Sequence, residues 1–104
     1  VESTTVAAPR AGATTRVLIV GTSLTAGLGI DPDSAYPAVL QRLADSSGIR
    51  ATIVGAGLSG ETSAGALRRV DWLLQERPDV VVLETGANDG LRGLNPDSTR
   101  ENLV

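Results

Sequence analysis

Three short aliphatic runs, each ending in a glycine-rich segment, constrain this chain more than any other feature. RVLIV (16–20) ends at Gly21, ATIV (51–54) runs into GAGLSG, and VVVLE (80–84) runs into TGANDG. Short runs of this kind, rich in β-branched residues and without polar alternation, read as strands buried on both faces, as in parallel sheets. Helical patterns lie between them. YPAVLQRLADSSG (36–48) places Val39, Leu40 and Leu43 on one face, with Gly48 as its stop. Residues 63–76 set Ala66, Leu67, Val70, Leu73 and Leu74 at helical spacing, and Pro78 closes the segment. Asn95 and Pro96 look like the N-cap and first-turn proline of a third helix, inside which the sequence stops at Val104.

The order β-α-β-α-β-α argues for an α/β fold, a parallel sheet with helices on both faces. Its outermost strand is expected to be an exposed edge. Ligands of such sheets bind at the carboxyl ends of the strands, where all three glycine-rich segments fall: 21–29, 55–60 and 86–90. Residues 1–15 are rich in Thr, Ala and small residues without period and read as a flexible lead-in. They lack the apolar segment of a signal peptide. The reading favours a tail left by a cleaved leader over a linker, hence a periplasmic or secreted protein over a cytoplasmic one.

Composition narrows the function. The 104 residues fit one domain at most. Net charge is −3, which argues against a nucleic-acid partner and a polybasic membrane patch. No stretch approaches the ~20 apolar residues of an integral membrane segment. With 0 Cys there are no disulfides or thiolate metal sites. No cofactor or metal is expected. There are 0 His, and all 9 basic residues are Arg, so the usual bases that activate a serine are absent.

Ser23 lies two residues beyond the first strand, where a helix can begin and backbone N–H groups favour negative charge. It is either a nucleophile or a helix cap. Gly60 can let its N–H approach a substrate oxygen, or it can simply serve a turn. Asn88 can donate to an oxyanion without titrating, or sit in an Asn-Asp-Gly turn. Asp89 reads best as structural.

The three segments together resemble the SGNH (GDSL-type) hydrolase family. GTSLTAG is similar to its first block, AGLSGET to its second and GANDGLRG to its third, over about residues 16–104. The NDGLRG and SGET wording is most similar to the family's bacterial thioesterase/lysophospholipase-type arylesterases. The resemblance implies a flavodoxin-like parallel sheet, of which residues 16–104 are the N-terminal portion. It implies a serine hydrolase of acyl esters or thioesters working through an acyl-enzyme. Ser23 would be the nucleophile. The Ser23 N–H, the Gly60 N–H and the Asn88 amide would form the oxyanion hole. Position 22 is Thr where the family usually has Asp, which bears on the polar support of the nucleophile and on activity. The Asp-x-x-His block that supplies the family's base does not occur in these residues, so the 104-residue chain alone is expected to be inactive.

Two rival readings stand beside it. GAGLSG is literally G-x-G-x-x-G between a strand and a helix, a dinucleotide fingerprint for which Asp79 or Glu84 would be the ribose-binding acid. A non-catalytic hydrolase-like domain is the other.

Overall fold

The computed structural model describes residues 13–104. Most of the stretch read as a lead-in therefore lies outside the described residues. Its last residue does not behave as one, because the first strand already begins at Thr15. That strand, β1, spans Thr15–Gly21. A single helical turn, α1 (Ser23–Ala26), follows, then α2 (Tyr36–Ser46) and β2 (Ala51–Gly57). Next come α3 (Ser63–Leu73), extended by a 3-10 turn over 74–76, and β3 (Val80–Leu83). The chain closes with α4 (Ala87–Leu91) and α5 (Pro96–Leu103).

The strands form a parallel sheet in the order β2-β1-β3, so the first strand in the chain is central. Val17 pairs with Ile53 on one side and Val80 on the other; Val20 pairs with Ala56 and Leu83. Side chains alternate faces along a strand. Leu18, Val20, Val54, Ala56, Val81 and Leu83 accordingly share one face, where they pack with Ala66 and Leu73 of α3. α2 covers the opposite face along β2.

The helix faces differ from the periodicity reading. On α2 the buried residues are Pro37 and Ala44, whereas Leu40 and Leu43 are exposed. Pro37 packs where Gly55 has no side chain: a Cβ there would meet Pro37 Cβ at 3.0 Å. Between Pro37 and Ala44, the Gln41 amide donates to the Ala51 carbonyl (2.8 Å) and accepts from the Ile53 N–H (2.8 Å). Gln41 thus mimics a neighbouring strand and partly satisfies the outer edge of β2, which reduces the liability of an open edge. A polar residue consequently holds the inward position that a hydrophobic count assigns to leucine. On α3 and its 3-10 extension, likewise, Ala66 and Leu73 are buried while Leu67 and Leu74 are exposed.

The N-caps follow local chemistry. Asn95 Oδ1 accepts from the Asp97 N–H at 2.9 Å, ahead of Pro96 in the first turn. Thr62 caps α3 by accepting from the Gly65 N–H.

Candidate active site

Ser23 is the first residue of α1, on a turn that starts where β1 stops. Thr22 is the N-cap, and its carbonyl accepts the Ala26 N–H at 2.9 Å. Gly27, with φ 74, ends the turn. The turn sits hard against β2: a Cβ on Gly57 would lie 2.2 Å from the Ala26 nitrogen. The Leu58 N–H donates to the Gly21 carbonyl at 3.0 Å, tying the loop after β2 to the end of β1. Ser23 is half-buried, and its hydroxyl has no hydrogen-bond partner among the described residues.

Gly60 occupies the loop between β2 and α3 with φ +80, a left-handed conformation that disfavours a side chain. Its carbonyl accepts from Arg92 Nη2 at 2.7 Å. The next residue, Glu61, is buried and pairs with Arg69 through two bonds, Nε to Oε2 at 2.7 Å and Nη2 to Oε1 at 2.8 Å. The same Nη2 donates to the Ala56 carbonyl at 2.9 Å. Arg69 therefore fastens the loop to the end of β2 with a geometry that suits a planar guanidinium. Beside Gly60 lies an open cleft of about 520 Å³, flanked by Leu58, Thr62, Arg68 and Arg92.

Asn88 lies in α4, a turn of helix where the sequence suggests only a loop. Gly86, at φ 113, makes the entry to it. Asn88 Nδ2 donates to the Glu61 carbonyl at 2.9 Å, joining the third segment to the second. Asp89 is buried. It accepts the Ser63 N–H (2.7 Å), the Ser63 hydroxyl (2.5 Å) and the Thr99 hydroxyl (2.8 Å). Asn102 Nδ2 adds a bond to Ser63 Oγ at 3.0 Å. Burial pushes the Asp89 carboxyl up, but these donors outweigh it and hold its pKa below the usual carboxylate range. Asp89 is thus a structural anchor that joins α3, α4 and α5 and fixes the residue beside Asn88.

The three expected site residues all sit at the carboxyl ends of their strands. The Asn88–Glu61, Arg92–Gly60 and Leu58–Gly21 bonds link the three segments into one network. Sequence reasoning missed Glu61 and Arg69, whose pairing across eight residues has no local signature, and it assigned Glu84 a different part. The Glu84 carboxylate accepts from the Thr22 N–H and hydroxyl at the start of α1.

The same geometry does not favour the dinucleotide reading. Gly55 and Gly57 lie inside β2 rather than in a phosphate-binding turn, and both are small to admit helices, Pro37 of α2 and the end of α1. Asp79 accepts the Arg16 N–H at 2.8 Å at the amino end of the sheet, away from the glycines, and Glu84 is taken by Thr22. Among the described residues no group of three or more acidic side chains could hold a metal ion, and no helix is long and apolar enough to cross a membrane.

Residues 19–104 match the model of the GDSL-like lipase/acylhydrolase family. The chain is 44% identical over 89 residues to the esterase TesA of Pseudomonas aeruginosa, covering 85% of this chain and 44% of that protein. It is 41% identical over 95 residues to the Escherichia coli protein named thioesterase 1/protease 1/lysophospholipase L1, covering 90% of this chain and 44% of that one. The crystal structure of AlinE4, an SGNH-hydrolase family esterase, aligns with a TM-score of 0.81 at 41% identity, over 90% of this chain and 51% of its own. That of TesA aligns with a TM-score of 0.83 at 43% identity, over 86% and 50%. The chain therefore spans about half the length, or less, of these relatives.

Proposed function

The chain belongs to the GDSL-like lipase/acylhydrolase family, and from that premise we propose that it forms part of a serine esterase acting on acyl esters or thioesters, with Ser23 as nucleophile. The relatives named esterase TesA and thioesterase 1/protease 1/lysophospholipase L1 support this substrate class. The observation that carries the reading is the bond from Asn88 Nδ2 to the Glu61 carbonyl, which holds a neutral amide donor against the loop of Gly60.

In this reading the Ser23 hydroxyl attacks the acyl carbonyl carbon while a base takes its proton. The developing oxyanion is held by the N–H groups of Ser23 and Gly60 and by the second Nδ2 hydrogen of Asn88. Collapse expels the alcohol or thiol, which takes the proton, and water then hydrolyses the acyl-Ser23 ester. The base is not among these residues, which contain 0 His and no Lys; the reading takes it from the Asp-x-x-His block implied by the family resemblance.

The test uses the natural-length protein that carries this chain. Ser23→Ala should abolish hydrolysis of short p-nitrophenyl esters with an unchanged Tm, and a phosphonate should label the parent at Ser23. An active alanine variant, or label on another serine, would refute the assignment.

A further inference from the structure

Glu84 holds a position that the proposed reaction does not use. Its backbone N–H donates to the Val20 carbonyl at 2.8 Å, continuing the β1–β3 pairing. Its carboxylate reaches the start of α1. There it accepts from the Thr22 N–H (3.0 Å), from the Thr22 hydroxyl (3.0 and 2.8 Å to its two oxygens) and from the Thr25 hydroxyl (3.3 Å). Both threonines are almost inaccessible, at 3% and 4%. Thr25 Oγ1 also lies 2.5 Å from the Tyr36 hydroxyl. Each hydroxyl has one proton, so Thr25 reaches Glu84 only when Tyr36 donates to Thr25. Gly21 leaves the room for this approach: a Cβ there would lie 1.9 Å from Thr25 Oγ1 and 3.0 Å from Glu84 Oε1. The donors stand at positions 22 and 25, on either side of Ser23.

We propose that Glu84 is the positioning residue of the Ser23 turn and that Thr22 is its matched donor. The proposal rests on the catalytic reading of Ser23. A helix of 4 residues has little cohesion of its own, so the aim of its first side chain depends on what anchors it. Hydrogen bonds to a carboxylate are the strong kind, and catalysis is sensitive to small displacements of a reacting group. The match also dictates what position 22 tolerates. A hydroxyl donates to Glu84, whereas an Asp there would set a second carboxylate against it, and two carboxylates in contact oppose each other's ionisation. Restoring the family's usual Asp should therefore harm this protein.

Steady-state kinetics, the rate of phosphonate labelling at Ser23 and Tm, measured on the natural-length protein, test the pairing. Glu84→Gln and Thr22→Val should each lower kcat and the labelling rate about ten- to a hundredfold, as the loss of a hydrogen bond to a charged group does, with KM near the parental value. Thr22→Ser should retain most of kcat. Thr22→Asp should fall furthest, and Thr22→Asp with Glu84→Gln should recover above Thr22→Asp alone, because a Gln amide can donate to the new carboxylate. If Thr22→Asp does not fold, the return of a cooperative unfolding transition in the double variant reads the same pairing, and its absence counts against the proposal. Parental kcat in Thr22→Asp, or no recovery in the double variant, would overturn the proposal. Label at Ser23 at rates indifferent to Glu84→Gln and Thr22→Val would overturn it alone. No label at Ser23 in the parent would remove the catalytic reading and this proposal with it.

Discussion

Asn88 Nδ2 donates to the backbone carbonyl of Glu61 at 2.9 Å, across a sequence separation of 27 residues. A primary amide has two N–H donors, so this bond occupies one and leaves the other without a partner among the described residues. The carbonyl it holds belongs to the residue after Gly60, and the same loop is clamped from the other side by Arg69. One side chain thereby shapes the loop and, in the reading proposed above, also serves the oxyanion hole.

That double use separates two effects of substitution. Asn88→Ala should lower kcat about 10²–10³-fold, the typical loss of one oxyanion donor, with little change in KM. Stability should fall by only about 1 kcal/mol for the lost bond to Glu61. Kinetics and thermal unfolding of the natural-length protein check this, and parental kcat beside a lowered Tm would leave Asn88 with the structural part alone.

Asp89 makes stability depend on pH, and the sign follows from its lowered pKa. The folded state favours the ionised carboxylate. Its contribution is therefore present in full above the unfolded Asp value of about 3.9 and is lost as pH falls through the lower folded value. Asp89→Asn should have a lower Tm than the parent at neutral pH, and the difference should shrink as pH falls below about 4. A difference in Tm that stays constant across that window would contradict the role given to the Ser63 and Thr99 donors.

Two glycines should respond in opposite directions. Gly57→Ala would drive a Cβ into the backbone of Ala26, 2.2 Å from its nitrogen, and should destabilise by about 1–3 kcal/mol, the cost of overpacking. Because α1 also carries Ser23, kcat should fall with it. Gly90 in α4 has open space around it, so Gly90→Ala should stabilise by roughly 0.5–1 kcal/mol. Denaturant unfolding of both variants checks the pair; a tolerated Gly57→Ala would mean that α1 is free to shift off β2.

What the sequence by itself determined is local. The three strands, the helix start at Ser23, and the Asn95 cap with Pro96 in the first turn follow from residues that are neighbours in the chain. Strand composition, cap chemistry and glycine stops act over a few positions. The wording of the three blocks pointed to the family on the same basis. Only the tertiary structure decided that β1 is central, that Gln41 rather than Leu40 or Leu43 turns to the sheet, and that Asp89 is a buried anchor. It alone set Glu84 against Thr22, 62 positions away. Those outcomes depend on strand order and register, which no short window contains. A hydrophobic period shows that a helix has an inner face, but the partner decides which residues form it, and on β2 the partner offered an unpaired backbone that an amide satisfies better than a leucine.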